Sequence, residues 1–532
     1  MNGSNARNGL VYFSVAFSFF PIIQVPFIMT TMEMFKGMHS LPSHLNETLL
    51  ELNNPHPTHG SFRSPLCRYA SNEMSHIWSN QHQLKWWIQL WLILARNQKK
   101  FGMDIADDAI SALESAVNEP PTMEEVAVFE DRLRHDVMAA IHAVGAKYPA
   151  AAPIIHAGAT SQYVKCNTDI TRLYESLTLI RTKLLKFMKH LSSFCYEHSA
   201  TPCVGFTHLQ VAMPTTVGKR ASLWLQDFEY ALSAITFNMH QMRLRSIKGA
   251  TGTQASFEEL FGGYCTVKQL EDHVSLDIGR LLNRPNMGSF PVCGQVYPRI
   301  VNSGVFSALA ALAQAAKKMS TDLRLLSHMF EIEEPQKKTQ VGSSAMPFKA
   351  NPMRSERIGG LARVLLGFAP IVNDTAAEQW MERTLDDSST NRVTLAEGML
   401  TADSIMNVLH SYFANGGLRV NNDVIAANVS KWMPFLITEN ILMIAVQQGG
   451  DRQELHEVIR QLTWAASKNL KLGKPHTLVD DLKDAFNAYH INWEELLANV
   501  PVGFAMEQTR EYLKTLSPVL LEIVAEITDT VV

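Results

Sequence analysis

Three long stretches of this chain contain neither glycine nor proline, the residues that most often interrupt regular structure, and they constrain the fold more than any other feature. From Ala159 to Thr201 neither occurs, and Ile170, Leu173, Leu177, Ile180, Leu184, Phe187 and Leu191 recur at steps of three and four. That spacing places them on one face of a single long amphipathic helix. A second stretch runs from Lys219 to Lys248, and a third from about Val305 to Glu334, where Pro335 stops it. At the rise of an α-helix each spans on the order of 40 Å or more, longer than a small domain is wide. Segments 221–232 and 306–316 are apolar around much of their circumference, so these helices need partners on several sides. Strand signals are few and short. The pattern predicts an all-α protein, a long-helix bundle that buries its remaining faces against other subunits.

At 532 residues the chain exceeds one ordinary core, so two or three domains are expected. Its 47 Lys and Arg nearly balance 51 Asp and Glu, which leaves no overall field to hold nucleic acid or an anionic membrane. An anionic ligand must therefore be met by local cations. The six cysteines are scattered and form no Cys-x-x-Cys pair, which fits reduced thiols in a cytoplasmic protein. Residues 1–62 stand apart. Leu10 to Phe20 is apolar after Arg7, like a signal-peptide core, while Pro21, Gln24 and Pro26 make a poor membrane span. We read this segment as a dispensable extension and linker, with Met29, Met32, Met34 and Met38 as alternative starts and the folded part beginning near Arg63.

The informative loops join the helices. Val341-Gly-Ser-Ser-Ala-Met-Pro-Phe-Lys-Ala-Asn-Pro352 carries two serines, a lysine and an asparagine on a bendable backbone, a set able to bind a carboxylate. By composition alone it is equally an ordinary surface linker. Residue for residue, however, Gly-Ser-Ser-x-Met-Pro-x-Lys-x-Asn-Pro resembles the signature loop of the fumarase/aspartase superfamily. Members of that family remove a proton beside a carboxylate and expel a leaving group from the neighbouring carbon. The resemblance makes Ser343 the base, with Lys349 and Asn351 as donors to the doubly charged carbanion. Gly205-Phe-Thr-His-Leu-Gln210 resembles the segment bearing the family's general acid, which makes His208 the group that protonates the departing nitrogen.

Further motifs resemble the adenylosuccinate-lyase branch of that superfamily over nearly everything after Arg63. They are Ser64-Pro-Leu-Cys-Arg-Tyr-Ala-Ser71, Arg132-Leu-Arg-His-Asp-Val-Met138, His156-Ala-Gly-Ala-Thr-Ser161, Thr251-Gly-Thr-Gln-Ala-Ser256, Gly294-Gln-Val-Tyr297, Met353-Arg-Ser-Glu-Arg357 and Glu382-Arg-Thr-Leu-Asp-Asp-Ser388. Carried across motif by motif, Arg68, Tyr69, Arg134, His135, Asp136, Thr160, Ser161, Gln295, Arg357, Arg383, Ser388 and Arg392 line the site. Arg383, Ser388 and Arg392 suit a nucleotide monophosphate, while Thr160, Ser161 and Gln295 join Lys349 and Asn351 on the fumarate half. Without that company, 383–392 reads as a solvated charged face and Gln295 as a turn cap. Departures accompany the matches. One residue fewer separates Ser-Pro-Leu from Arg68-Tyr69, Ala350 stands where a basic or bulky residue is common, Cys293 replaces a threonine, and Lys165-Cys166 falls where Gly-Asp is expected.

The resemblance implies three helical domains, over 63–159, 160–417 and 418–532. It also implies a homotetramer whose active sites draw on several subunits, and a reaction without metal or organic cofactor. The substrates it implies are adenylosuccinate, giving AMP, and SAICAR, giving AICAR, each with release of fumarate. Argininosuccinate cleavage, which shares the loop but needs no phosphate site, and a catalytically silent helical scaffold are the competing readings.

Overall fold

The computed structural model describes residues 64–336, 339, 341–414 and 416–516. The extension expected over 1–62 and the start expected near Arg63 lie outside the described residues. A first group of helices comprises α1 (Asn72–Ile77), α2 (Asn80–Lys100), α3 (Asp107–Asn118), α4 (Met123–Leu133) and α5 (Asp136–Lys147). Their starts follow local chemistry. Ser71, Ser79 and Thr122 each accept a backbone N–H from the first turn, and Glu125 returns a bond to the Thr122 N–H in a reciprocal capping box.

The long helices follow as α6 (Ser161–Glu197), α7 (Val217–Gln241), α8 (Ala255–Phe261), α9 (Tyr264–Leu281), α10 (Ile300–His328), α11 (Met353–Ala377) and α12 (Asp387–His410). α6 packs on α7 and α12, and α10 on α7 and α11, which in turn packs on α12. All seven apolar positions of the expected α6 stripe are fully buried. Each such side chain contributes about 1.5–3 kcal/mol on leaving water, so the stripe holds α6 at the centre of the bundle. Beyond it lie α13 (Asn422–Leu436), α14 (Thr438–Gln447), α15 (Arg452–Lys471), α16 (Leu478–Ala485) and α17 (Trp493–Ala498). Ile437, Ile441, Leu478, Leu482 and Phe486 form a separate apolar cluster there.

Two expected helices end early, each for a tertiary reason. The chain leaves α7 at Gln241 rather than Lys248, because Leu244 exchanges backbone hydrogen bonds with Gly288 and Phe290, both at 2.9 Å, and the Ser246 N–H donates to Asn167 Oδ1 at 2.9 Å. It leaves α10 at His328 rather than Glu334, since Phe330 turns left-handed at φ 58° and Ile332–Glu333 (β3) pairs antiparallel with Arg419–Val420 (β4). Intrinsic helix preference of a few tenths of a kcal/mol per residue yields to such bonds.

The segment around Gly205, expected as a loop, is a hairpin. Pro202–Thr207 (β1) pairs with Gln210–Thr216 (β2), with an irregularity between Val204 and Phe206. Gly205 is required there, because a Cβ on it would lie 2.3 Å from the Met213 carbonyl oxygen. His208 and Leu209 form the two-residue turn with φ of 52° and 55°, the left-handed pair that a tight hairpin demands.

Candidate active site

The N-terminal ends of α5, α6 and α12 meet around a cavity of about 240 Å³. Helix N-termini present unpaired N–H groups and partial positive charge, so this convergence favours an anion. Of the residues expected in the site, Asp136, Arg383, Ser388 and Arg392 line it. Thr160 and Ser161 open α6, and the Thr160 Oγ1 is buried with no hydrogen-bond partner. His135 caps α5, its Nδ1 accepting the Met138 N–H at 3.3 Å, and Arg134 closes α4 in a left-handed conformation. His142, seven residues on, stacks on Phe129 instead.

Arg383 is the hub of one wall. Its Nη1 donates to Gln295 Oε1 at 2.8 Å, and the Gln295 N–H donates to the Glu382 carbonyl at 3.0 Å. Gln162 faces the same guanidinium and, with its amide oxygen turned toward it, accepts from Nη1 and Nη2 at 3.1 and 3.2 Å. The Arg383 Nε stays buried without a partner. Gln295 is thus more than a turn cap.

Ion pairs fix another part of the lining. Lys165 Nζ lies 2.7 Å from Asp136 Oδ2, and Arg392 Nη2 lies 3.5 Å from the same oxygen. Burial alone would raise the Asp136 carboxyl. The bond and charge of Lys165, the Val137 N–H and Arg392 outweigh it and hold the group below the ordinary carboxylate range. Arg299 and Asp387, both buried, pair at 2.6 Å. Beside them burial pushes the Asp169 carboxyl up, against the opposing pull of Arg299, Arg172 and Lys165.

Gln162, Lys165, Thr168, Arg172, Arg299 and Asp387 also line the cavity and were not singled out from the sequence as site residues. A signal for three of them was present. Lys165, Thr168 and Arg172 continue from Ser161 at helical spacing as a polar strip along one side of the amphipathic α6. Arg299 and Asp387 carry no comparable signal, because only the packing of α10 against the start of α12 brings them together.

The remaining expected residues lie apart from the cavity in a single chain. Arg357 lies over the Tyr69 ring at 5.8 Å, and Arg68 is exposed beside it in sequence. In the 341–352 loop the Ser343 Oγ accepts the N–H groups of Ala345 and Met346 at 3.3 and 3.1 Å, and Asn351 Nδ2 closes the loop on the Gly342 carbonyl at 2.9 Å. Gly342 admits that closure, since a Cβ there would sit 2.1 Å from the Lys349 carbonyl oxygen. Lys349 is exposed, as is His208 at its hairpin turn. Among the described residues, neither His208 nor Ser343 bonds to a residue lining the cavity.

Comparison with known proteins places this geometry in a class. Residues 67–367 match the family model described as Lyase. The fold is similar to that of a fumarate lyase from Mesorhizobium sp. BNC1, with a TM-score of 0.70 at 22% identity over 84% of this chain and 98% of that one. It is also similar to 3-carboxy-cis,cis-muconate lactonizing enzyme from Pseudomonas putida, with a TM-score of 0.71 at 20% identity, covering 84% and 98% of the two chains. The chain is a lyase of the fumarase/aspartase superfamily. Adenylosuccinate lyase of Schizosaccharomyces pombe is 40% identical over 88% of this chain and 98% of its own, and that of Saccharomyces cerevisiae 39% over 86% and 95%. The chain therefore belongs to the adenylosuccinate lyase family.

Proposed function

We propose that this enzyme cleaves adenylosuccinate to AMP and fumarate, and SAICAR to AICAR and fumarate, by acid/base β-elimination. One observation carries the reading: Arg383, Ser388 and Arg392 converge on one cavity at a helix N-terminus, a setting suited to the phosphate of a nucleotide. Argininosuccinate offers no phosphate to that cavity.

Ser343 takes the proton beside the succinyl carboxylate. A hydroxyl is a weak base, and the two N–H groups aimed at its oxygen stabilise the negative charge it must carry. The electron pair left on carbon spreads into the adjacent carboxylate, where Lys349 and Asn351 supply positive charge and a donor. The C–N bond then breaks, the pair passes to form the fumarate double bond, and His208 delivers a proton to the leaving nitrogen. Neither step needs a metal or organic cofactor.

We further propose that the enzyme is a homotetramer with each site shared between subunits. Leu223, Tyr230 and Phe237 recur every seven residues on α7 and are 49%, 75% and 62% exposed, while Val364 and Ile371 repeat the spacing on α11. Apolar seams at that repeat pack against other helices. Sharing also supplies what one chain lacks, a route for Ser343 and His208 to reach a cavity they do not touch. The test is ultraviolet detection of fumarate release from adenylosuccinate and SAICAR by the full chain. Substrates left intact by a correctly folded protein would remove the reading.

A further inference from the structure

We propose that Lys165 is an additional substrate-contacting residue that, together with Arg392, receives the phosphate monoester of the ligand. The inference rests on the nucleotide reading of the cavity and adds a residue which the matched motifs do not supply, since Lys165-Cys166 stands where Gly-Asp is expected.

The geometry points at one spot. Lys165 projects from the first turns of α6 and Arg392 from those of α12, and both contact Asp136 Oδ2, at 2.7 and 3.5 Å. The two cationic nitrogens therefore lie within about 6 Å of each other with one anionic oxygen between them. Two cations held on separate helices around one oxygen are prearranged for an oxygen of an incoming anion, because the cost of bringing like charges together is already met in the fold. Lys165 and Asp136 are about a quarter exposed at the side chain, so the pair faces the cavity rather than the core.

Independent features of the same cavity show that it is built for a polar guest. Arg299 is 6% exposed and its Nη1 has no partner, and Thr168 is 1% exposed with its Oγ1 likewise unpartnered. A buried donor left unmade is costly, so a ligand with several acceptor oxygens suits this lining. Charge agrees. Lys165, Arg172, Arg299, Arg383 and Arg392 face only Asp136, Asp169 and Asp387. A phosphate monoester, with three acceptor oxygens and nearly two negative charges at neutral pH, matches this surplus better than the single charge of a carboxylate.

The experiment is calorimetric titration of AMP, adenosine and succinate into the full-length protein and its Lys165→Gln and Lys165→Arg variants, with thermal melts alongside. Lys165→Gln is expected to weaken AMP about tenfold, the loss of one charge-assisted hydrogen bond, while adenosine is unaffected and Lys165→Arg restores most of the affinity. Equal losses for AMP and adenosine would reduce Lys165 to a tether between α5 and α6 and overturn the proposal. So would a loss confined to succinate, or unchanged AMP affinity. Should Lys165→Gln not fold, Lys165→Ala is read by the same AMP-to-adenosine ratio. Wild-type protein that binds AMP through Lys165 yet releases no fumarate from adenylosuccinate would sink the reaction proposed above and leave this contact standing.

Discussion

Arg383 and Gln295, 88 residues apart in sequence, are joined by a 2.8 Å hydrogen bond that ties the start of α12 to the turn before α10. Replacing Gln295 by Leu removes an acceptor from a guanidinium whose Nε is already without one. The expected cost is about 1–3 kcal/mol, seen as roughly a tenfold or larger fall in kcat/KM together with a lower Tm. Unchanged values on both counts would show that Gln162 alone suffices to hold Arg383.

The Arg299–Asp387 pair is buried on both sides, with side chains 5% and 1% exposed. Arg299→Met leaves the Asp387 charge uncompensated and is expected to destabilise by about 3–5 kcal/mol, whereas Arg299→Met with Asp387→Leu recovers much of it. Thermal unfolding of the two singles and the double closes the cycle. Additive losses would mean that the pair is not coupled.

His208 sits at its hairpin turn and Ser343 in the 341–352 loop, and neither lines the cavity, so the proposed sharing of sites makes a specific demand. The Ser343→Ala and His208→Ala variants are each expected to lose nearly all turnover while keeping the assembly state of the wild-type protein. Unfolding and refolding them as a mixture should restore part of the activity, because some sites then combine a native serine with a native histidine from different chains. Fumarate release and light-scattering mass check both statements, and a mixture as inactive as its parents counts against the shared site.

His156 sits at φ 71° and its Nδ1 accepts the Trp91 Nε1 hydrogen at 2.9 Å, which requires the neutral ring. Burial, aided by the charge of His135, lowers its pKa to about 4. Between about pH 4 and 6.5 the unfolded chain therefore binds a proton that the folded one refuses. Stability from this group is complete above about pH 6.5 and falls away as the pH drops toward 4, by on the order of 3 kcal/mol in all. His156→Asn, which tolerates the left-handed backbone, should flatten the dependence of Tm on pH across that window. An unaltered slope would place the acid sensitivity elsewhere.

The sequence by itself determined the helical class, because the absence of glycine and proline and the three-and-four spacing of apolar residues act locally, within a single helix. It likewise carried the loop around Ser343, whose close turn is set by Gly342 and Asn351 a few residues apart. Arg383, Ser388 and Arg392 were legible through motif resemblance, and the cavity brings them together. What only the tertiary structure decided is how distant charges meet. Lys165 beside Asp136, Arg299 beside Asp387 and the ends of α7 and α10 all depend on contacts between segments far apart in the chain. Such contacts leave no period in the sequence, since a hydrogen bond or ion pair across a packed interface is fixed by where helices cross rather than by the spacing of residues along either one.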